Sequence, residues 1–456
     1  MRYDTIVIGS GQGGNPLAMQ LAKRGEQVAL IEPHFLGGTC INTGCTPTKT
    51  MIASAQVAHY ARNAARWGVQ AADVRVDLPA ILKRKNEIVT GMRSGWENSF
   101  AKQPNVHLYR SVARFIGPKQ LQVGSDMLEA QRIFIDTGAS PFIPPIEGLE
   151  QVPYLTNVSL LELEELPEHL LVLGGGYVGL EFGQMFRRFG SEVTVVQSAD
   201  RILPHEDEDV TKELQSALEA DGVKFYLQAR ATKAARQNGH IALTVVTQNG
   251  TQILTGSHLL IATGRAPNTK SLDLDKAGIQ TNQKGFIVVN DRLETTAQDV
   301  WALGDVTGGP AFTHISYNDY QILYANIYEG KDLRTSARIV PYAVYTDPTL
   351  GRVGLTEKEA RRQGRKLKIG TIPMTNVARA RERGETRGFM KLVVDAATDR
   401  ILGAAILSVE GGELVQILST LMLAEKPYTL LKGAIYIHPT LAEGFFALMD
   451  SVKLVA

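Results

Sequence analysis

The two cysteines of this chain, Cys40 and Cys45, lie in one short glycine-rich segment of its 456 residues. Only four residues separate the two thiols, so the pair can close into a disulfide. Because the sequence has no other cysteine, it can hold neither a disulfide framework nor a cysteine-based metal cage. The spacing leaves two interpretations open: a redox-active pair, or two inert cysteines of the kind common in protein cores.

The segment immediately upstream of the cysteines has the pattern of a dinucleotide-binding unit. A predicted buried strand over residues 3–8 runs into the glycine-rich turn 9–14, and a helix over 15–24 and a strand over 27–31 follow. The second strand ends at Glu32, whose carboxylate is suited to accept hydrogen bonds from a ribose diol. This order of elements, which ends in an acidic residue, predicts that the segment binds a dinucleotide.

Three glycines of this turn have separate physical tasks. Gly9 permits the tight turn, Gly11 lets the backbone approach a pyrophosphate, and Gly14 lets the helix pack closely against the strand. The N-terminus of the helix then faces the phosphate charge. The turn is therefore expected to hold the phosphates of its nucleotide.

The same unit occurs a second time further along the chain. A predicted strand over 170–173 leads into a turn with Gly174, Gly176 and Gly179, and a helix over 180–189 and a strand over 192–196 follow. Gln197 follows Gly174 at the same separation at which Glu32 follows Gly9. Two nucleotide sites in one chain suit electron transfer between two cofactors, which predicts an oxidoreductase with two dinucleotides.

The whole chain resembles the flavoprotein pyridine nucleotide–disulfide oxidoreductases, which include dihydrolipoamide dehydrogenase, glutathione reductase and mercuric reductase. The resemblance rests on the cysteine segment 38–49, on Ala262-Thr263-Gly264-Arg265, on Ala302-Leu303-Gly304-Asp305 and on His438-Pro439-Thr440-Leu441-Ala442-Glu443. The segment 386–393 is most similar to the mercuric reductase branch and its relatives that reduce cupric ion.

The resemblance implies an α/β fold with two Rossmann-type dinucleotide-binding domains and a C-terminal α+β dimerisation domain. The expected FAD-binding domain comprises residues 1–147 and 265–336, the NAD(P)H-binding domain residues 148–264, and the dimerisation domain residues 337–456. Residue patterns predict helices over 51–66 and 78–102, a Pro-rich linker at 141–145, and strands over 106–110, 121–123, 132–136, 390–395 and 401–409.

The resemblance also implies where the two cofactors bind. FAD is expected in the first unit, because the cysteine pair follows it directly, and NADPH or NADH in the second. The implied FAD-binding residues are Gly9, Gly11, Gly14, Glu32, Gly38, Thr39, Lys49, Gly138 and Asp305, and the implied NAD(P)H-binding residues are Gly174, Gly176, Gly179, Gln197 and Gly264. A simple turn aspartate is the competing interpretation of Asp305. Gln197 stands where a carboxylate would favour NADH and repel a 2′-phosphate.

In this family, electrons pass from NAD(P)H through FAD to the disulfide, here Cys40–Cys45. The resemblance makes Cys45 the thiolate that faces the flavin and Cys40 the interchange thiol that meets the substrate. Both thiols are expected to have a lowered pKa. Lys49 would assist electrostatically and pair with Glu181, unless both are ordinary charges on helix surfaces.

Two further catalytic roles are implied near the second glycine turn and the C-terminus. Tyr177 would cover the flavin until nicotinamide arrives, with a buried packing tyrosine as the alternative. His438 would be the acid–base partner of the interchange thiol in the other subunit, with Glu443 orienting its ring. The pattern from Thr440 to Glu443 also resembles a helix capping box, so Glu443 is free to serve the helix, the histidine or both.

The sequence departs from the mercuric reductases in two ways. Those enzymes carry a C-terminal cysteine pair and no histidine of this kind, whereas this chain ends without sulfur and has His438. Three hypotheses follow. The first is an FAD enzyme that reduces a small disulfide, a quinone or a metal ion. The second is a mercuric or cupric ion reductase, and the third is a non-enzymatic flavin redox sensor.

Composition narrows the remaining possibilities. The net charge is +1, and no basic block is present, which argues against a nucleic-acid partner. No stretch of apolar residues is long enough to span a membrane, and the first strand begins near Met1, which leaves no room for a signal peptide or an N-terminal metal-binding domain. A cytoplasmic homodimer without a resident metal site is expected.

Overall fold

The computed structural model of the protein describes residues 1–455. In chain order, its strands are β1 Arg2–Ile8, β2 Val28–Ile31, β3 Val106–Tyr109, β4 Ala113–Gly117, β5 Gln120–Val123, β6 Asp126–Ile135, β7 Ala139–Pro141, β8 Tyr154–Leu155, β9 His169–Leu173, β10 Glu192–Val196, β11 Val223–Tyr226, β12 Arg230–Gln237, β13 His240–Thr247, β14 Gly250–Gly256, β15 His258–Ile261, β16 Arg265–Pro267, β17 Val300–Ala302, β18 Pro341–Val344, β19 Thr349–Gly354, β20 Leu367–Pro373, β21 Phe389–Asp395, β22 Ile401–Ser408 and β23 Lys453–Leu454. Its helices are α1 Gly14–Lys23, α2 Gly38–Asn42, α3 Cys45–Arg62, α4 Leu78–Ala101, α5 Asn157–Leu160, α6 Tyr177–Phe189, α7 Glu208–Ala220, α8 Thr313–Tyr328, α9 Glu357–Arg362, α10 Ala378–Glu382, α11 Gly411–Leu423, α12 Thr429–Lys432 and α13 Gly444–Asp450.

These elements form two compact units. The first comprises residues 1–50, 79–142 and 264–338, and the second comprises residues 51–78, 143–263 and the chain from Ile339 onward. The boundary after Phe142 falls within the proline-rich segment that the sequence marks as a linker. The finer division into three domains stays a prediction.

The first unit is built on a sheet with the strand order β3-β2-β1-β6-β5-β4, and β17 also pairs with β6. Strand β1 is parallel to both β2 and β6. Ile6 and Ile8 lie in one hydrophobic core, while Val7 lies in another with Leu17 and Leu21 of helix α1. Because both faces are covered, β1 has a continuous apolar run rather than an alternating pattern.

The second unit contains three sheets. Its parallel sheet has the order β11-β10-β9-β15-β8, and the antiparallel strands β12, β13 and β14 form a separate sheet. The C-terminal part is an antiparallel sheet with the order β18-β19-β22-β21-β20-β23. Helices α11 and α13 supply Leu418 and Phe445 to the hydrophobic core of that sheet. The C-terminal segment therefore has the predicted combination of antiparallel strands and helices.

The observed elements differ from the predicted ones around the cysteines, and several strands, among them the parallel strands β11 and β15, were not predicted. The helix predicted over 51–66 begins earlier, at Cys45, and ends at Arg62, followed by a separate 3₁₀ turn over Ala64–Trp67. Pro47 is compatible with this early start, because backbone N–H groups of a first helical turn need no intrahelical partner. Strands β4, β7, β12 and β14 were not predicted because they are short or mostly exposed and lack a strong apolar period, and the buried strand β13 was also missed.

Candidate active site

The first glycine turn packs directly against the carboxyl end of strand β6. Gly9 has φ +103°, and a Cβ atom there would lie 2.2 Å from the carbonyl oxygen of Asp136. A Cβ atom on Gly14 would lie 2.2 Å from the carbonyl oxygen of Gly9. Neither position has room for a side chain, so the predicted tasks of these two glycines follow from contact distances.

The second glycine turn repeats this arrangement. A Cβ atom on Gly174 would lie 2.4 Å from the carbonyl oxygen of Ala262, and one on Gly179 would lie 2.0 Å from the carbonyl oxygen of Gly174. Helix α6 begins directly after Gly176. The internal repeat seen in the sequence is therefore also a repeat of backbone packing.

The cysteine segment lies against the first glycine turn. The N–H of Gly37 donates to the carbonyl oxygen of Ser10 at 3.0 Å, and Nε2 of Gln12 donates to the carbonyl oxygen of Gly37 at 3.0 Å. A Cβ atom on Gly38 would lie 2.7 Å from Cα of Gly11. These contacts place the redox candidates beside the turn that is expected to bind a nucleotide.

The two cysteines have different surroundings. Cys40 lies half-buried in helix α2, whereas Cys45 is exposed at the start of helix α3, with its Sγ 3.2 Å from Oγ1 of Thr313. A hydrogen bond with Cys45 and burial both raise the pKa of the Cys40 thiol, while Thr313 and the charge of Lys49 act in the opposite direction. The direction of the pKa shift at Cys40 is therefore opposite to the expected lowering.

Asp305 is more than a turn residue. Its Oδ2 lies 3.5 Å from Nε of Arg265, and Arg265 also donates to Oγ1 of Thr39 at 3.4 Å and to the carbonyl oxygen of Ala139. Burial raises the pKa of Asp305, and the positive charge of Arg265 opposes that shift. The predicted site residues Asp305 and Thr39 are thus joined through one arginine.

Glu32 is already engaged by the protein. Its Oε2 accepts hydrogen bonds from the backbone N–H and the hydroxyl of Ser10 at 3.2 and 2.7 Å, and its Oε1 accepts from the N–H of His34 at 2.9 Å. A carboxylate has about four acceptor positions, so capacity for a ribose hydroxyl remains. The contacts fix the carboxylate next to the glycine turn, which suits the predicted role.

Glu181 and Tyr177 both lie on helix α6. Glu181 is only 4% exposed, and its Oε1 accepts a hydrogen bond from the N–H of Tyr345 at 2.9 Å, so the alternative of a surface charge is wrong for this residue. Tyr177 is the first residue of the helix and is half-buried. The flavin-covering role of Tyr177 and the pairing of Lys49 with Glu181 stay predictions.

Glu443 contacts both His438 and the backbone ahead of helix α13, but its side chain does not cap that helix, so the predicted capping box is not formed. Its two carboxylate oxygens lie 3.0 and 3.1 Å from Nδ1 of His438, and Oε2 also accepts the N–H of Thr440 at 3.1 Å. The Thr440 N–H and then His438 lower the pKa of Glu443. Because Nδ1 donates to this carboxylate, Nε2 of the exposed ring is left to exchange protons.

Three residues near the site were missed by the sequence interpretation. Thr313 contacts Cys45, Arg265 links Asp305 to Thr39, and Asp136 contacts the first glycine turn. Arg265 is part of Ala262-Thr263-Gly264-Arg265, one of the motifs that carry the resemblance, so the sequence could have indicated that it is a site residue. Thr313 lies too far along the chain from the cysteines for any spacing pattern to connect them.

Comparison with known proteins identifies the family. Residues 3–319 match the family described as pyridine nucleotide-disulphide oxidoreductase, and residues 340–448 match its dimerisation domain. The chain belongs to this family. Its members bind FAD and take electrons from NAD(P)H, so the chain is an NAD(P)H-dependent, FAD-containing oxidoreductase. This finding sets aside the hypothesis of a non-enzymatic sensor.

Similar proteins include different branches of the family. The chain is 39% identical to the probable pyridine nucleotide-disulfide oxidoreductase RclA of Escherichia coli, over 99% of this chain and 100% of that protein. It is 36% identical to a dihydrolipoyl dehydrogenase of Thermus scotoductus, over 99% of this chain and 97% of that protein. It is 35% identical to a mercuric reductase of Lysinibacillus sphaericus, over 91% of this chain and 76% of that enzyme.

A solved structure shares the fold. The Cu(II) complex of the HOCl-induced flavoprotein disulfide reductase RclA from Escherichia coli superposes with a TM-score of 0.90 at 39% identity and covers 98% of this chain and 100% of that one. The predicted α/β fold with two dinucleotide-binding domains and a dimerisation domain is confirmed by this match and by the two family matches.

The first glycine turn fits the pyrophosphate of FAD. A Cβ atom on Gly38 would lie 2.7 Å from Cα of Gly11, so the cysteine segment can approach the turn this closely only with glycine at position 38, and helix α1 begins at the same turn with its positive dipole end. Over residues 1–455, no helix is long and apolar enough to cross a membrane, and no group of three or more His, Cys, Asp or Glu side chains could hold a metal ion.

Proposed function

We propose that this enzyme passes electrons from NAD(P)H through FAD to the Cys40–Cys45 disulfide and on to a small disulfide, a quinone or Cu(II). The observation that carries the proposal is the packing of the cysteine segment against the first glycine turn, with Gly38 in contact with Gly11. The named relatives support the same chemistry, since one is a flavoprotein disulfide reductase solved as a Cu(II) complex. A cytoplasmic location agrees with a transient, catalytic cysteine pair.

The bound cofactor and the two cysteines are expected to carry out different steps of the electron transfer. FAD, when bound, accepts hydride from NAD(P)H and supplies two electrons to the disulfide. In disulfide reduction, Cys40 attacks the acceptor, which takes both electrons and leaves as two thiols. A quinone takes two electrons and two protons and leaves as a hydroquinone, whereas two Cu(II) ions each take one electron and two protons are released. In each case the Cys40–Cys45 disulfide forms again, so atoms and electrons balance.

We propose that the active form is a homodimer in which His438 of one subunit acts at Cys40 of the other. The hydrogen bond between Nδ1 and Glu443 orients the ring and leaves Nε2 for proton transfer. In disulfide reduction, His438 protonates the departing thiolate. The matched dimerisation domain, which contains His438 and Glu443, supports this arrangement.

NADPH is expected to be used at least as well as NADH. Gln197 places no like charge near a 2′-phosphate, and Arg201 follows in the same loop. Asp200, however, binds this arginine through contacts of 2.8 and 3.1 Å. Gln197→Glu should lower the NADPH-to-NADH ratio of kcat/KM, and Asp200→Asn should raise it, each by about tenfold because one like charge is added or removed.

The control for these two variants is Glu192→Gln, which removes an exposed acid from the opposite end of strand β10. It should leave the ratio unchanged. Strong selectivity of the wild type for NADH would contradict this prediction. An unchanged ratio in both Gln197→Glu and Asp200→Asn would also contradict it, because the loop would then not discriminate the 2′-phosphate.

A panel of acceptors tests the proposed substrates. Disulfides, quinones and Cu(II) should be reduced faster than Hg(II), because thiols hold Hg(II) in solution and this chain offers only Cys40 and Cys45 to extract it. Mercury bound by the pair is expected to stall turnover. The rates are measured without oxygen, with NADPH or NADH and excess thiol. Steady Hg(II) reduction that exceeds every disulfide and quinone would instead establish a mercuric reductase.

A further inference from the structure

The two nucleotide-binding units differ at one buried position. Strand β6 leads into Asp136-Thr137-Gly138, and strand β15 leads into Ala262-Thr263-Gly264. The carbonyl oxygens of Asp136 and Ala262 make the same close approach to the first glycine of the neighbouring turn. The backbone is therefore equivalent at the two positions, but only the first unit carries an acidic side chain there.

The carboxyl group of Asp136 lies inside the first glycine turn. Its Oδ2 accepts the N–H of Gly14, the first residue of helix α1, at 2.7 Å. A Cβ atom on Gly11 would lie 2.6 Å from Oδ2, and one on Gly304 would lie 2.8 Å from Oδ1. Asp136 is only 6% exposed. The Asp136 side chain, at the end of β6, therefore contacts both the first glycine turn and the turn at Gly304.

The surroundings of Asp136 are acidic. Asp305 and Asp319 are its acidic neighbours, but Asp305 pairs with Arg265 at 3.5 Å and Asp319 pairs with Arg338 at 2.5 Å. Over residues 1–455, no cation forms an ion pair with Asp136 itself. Burial raises the pKa of Asp136 well above its ordinary value, the two acids add to this effect, and the Gly14 N–H opposes it. Burial and the two neighbouring acids thus favour the protonated form of the Asp136 carboxyl group.

We propose that Asp136 is a proton-dependent positioning residue for FAD. As a carboxylic acid it ties the glycine turn to strand β6 without charge, and on ionisation it places a negative charge beside the pyrophosphate and releases the cofactor. The N-terminus of α1 favours one anion, and a carboxylate in contact with Gly14 competes with the phosphates for that position. The inference rests on the proposed placement of FAD at this turn.

The test measures FAD release rather than turnover. Purified holoenzyme is diluted at pH values from 6 to 9, and the recovery of flavin fluorescence gives the dissociation constant. One linked proton weakens binding by at most about tenfold per pH unit above the pKa of Asp136. The wild type should therefore lose affinity for FAD progressively as the pH rises across this range, whereas a flat wild-type profile would overturn the inference. Asp136→Asn keeps an acceptor for Gly14 and should change by less than about threefold.

Two more variants make the outcome decisive. Asp126→Asn removes an acid from the far end of the same strand and should keep the wild-type pH profile. Asp136→Ala copies the second unit, and it should also have a flat profile even if Asp136→Asn folds poorly. A wild-type profile in both Asp136 variants would overturn the inference while leaving FAD binding intact. Purified wild type without FAD would instead refute the placement of the cofactor itself.

Discussion

Cys45→Ser should abolish the long-wavelength thiolate-to-flavin absorption band of the two-electron-reduced enzyme, whereas Cys40→Ser should keep or strengthen it. The reason lies in the asymmetry of the pair. Cys40 is half-buried and burial and Cys45 raise the pKa of its thiol, while Cys45 is exposed beside Thr313. The negative charge that interacts with the flavin is therefore expected on Cys45. One bound FAD per chain is part of the same expectation.

The two variants should also differ in their remaining activity. Cys40→Ser removes the thiol that attacks the acceptor, so disulfide reduction should fall on the order of a thousandfold or more, while reduction of the flavin by NADPH continues. Anaerobic titration followed by visible absorption, together with stopped-flow reduction, measures both effects. Thr46→Ser, in the first turn of helix α3, is the matched control and should retain both the band and turnover. If Cys40→Ser abolished the absorption band and Cys45→Ser kept it, the roles assigned to the two cysteines would be reversed.

Mixed dimers of His438→Ala and Cys40→Ser chains should recover about half of the wild-type disulfide reductase activity per dimer. Each variant alone should be slow, because loss of the acid–base group costs roughly a hundredfold to ten-thousandfold and loss of the interchange thiol costs more. In a mixed dimer, one composite site combines an intact Cys40 with an intact His438. The other site lacks both groups.

The experiment requires two different affinity tags, so that mixed dimers are purified and their composition is verified. Glu443→Gln chains can replace the His438→Ala chains in the mixture. The Glu443→Gln enzyme alone should be more active than the His438→Ala enzyme, because the amide still reaches His438 but lacks the charge, and mixing with Cys40→Ser chains should again restore activity. The control mixes His438→Ala chains with wild-type chains. An active monomer, or no rescue in verified mixed dimers, would show that His438 and Cys40 do not form a shared site.

Local sequence patterns predicted the nucleotide-binding elements well. Strand β1, helix α1 and strand β10 lie within about one residue of their predicted bounds, because a buried apolar run and a glycine turn are strong local signals. The two glycine turns were also correct in their physical detail, since contacts at Gly9 and Gly174 exclude side chains. Strands β12 and β14 of the hairpin sheet escaped prediction because they are mostly exposed and have no clear apolar pattern, whereas β13 between them is mostly buried and was missed despite its apolar residues.

The sequence alone determined the class of chemistry. Two cysteines beside one glycine turn, a second turn of the same kind and the His438–Glu443 motif identify a flavoprotein with a redox-active pair, and the family matches confirm that class. These features are readable because the groups of each motif lie close together along the chain. The pairing of Glu443 with His438 was implied by the resemblance to the family, and the two side chains are in contact in the structure.

Only the tertiary structure decided the state of individual groups. It showed that burial and Cys45 raise the pKa of Cys40, that Glu181 is buried, and that Asp136 reaches into the first glycine turn. A pKa depends on burial and on charges within a few ångströms, and the relevant neighbours of Asp136 come from Gly14, Asp305 and Asp319. These residues are far apart along the chain and meet only when the parallel strands align their carboxyl ends at one edge of the sheet.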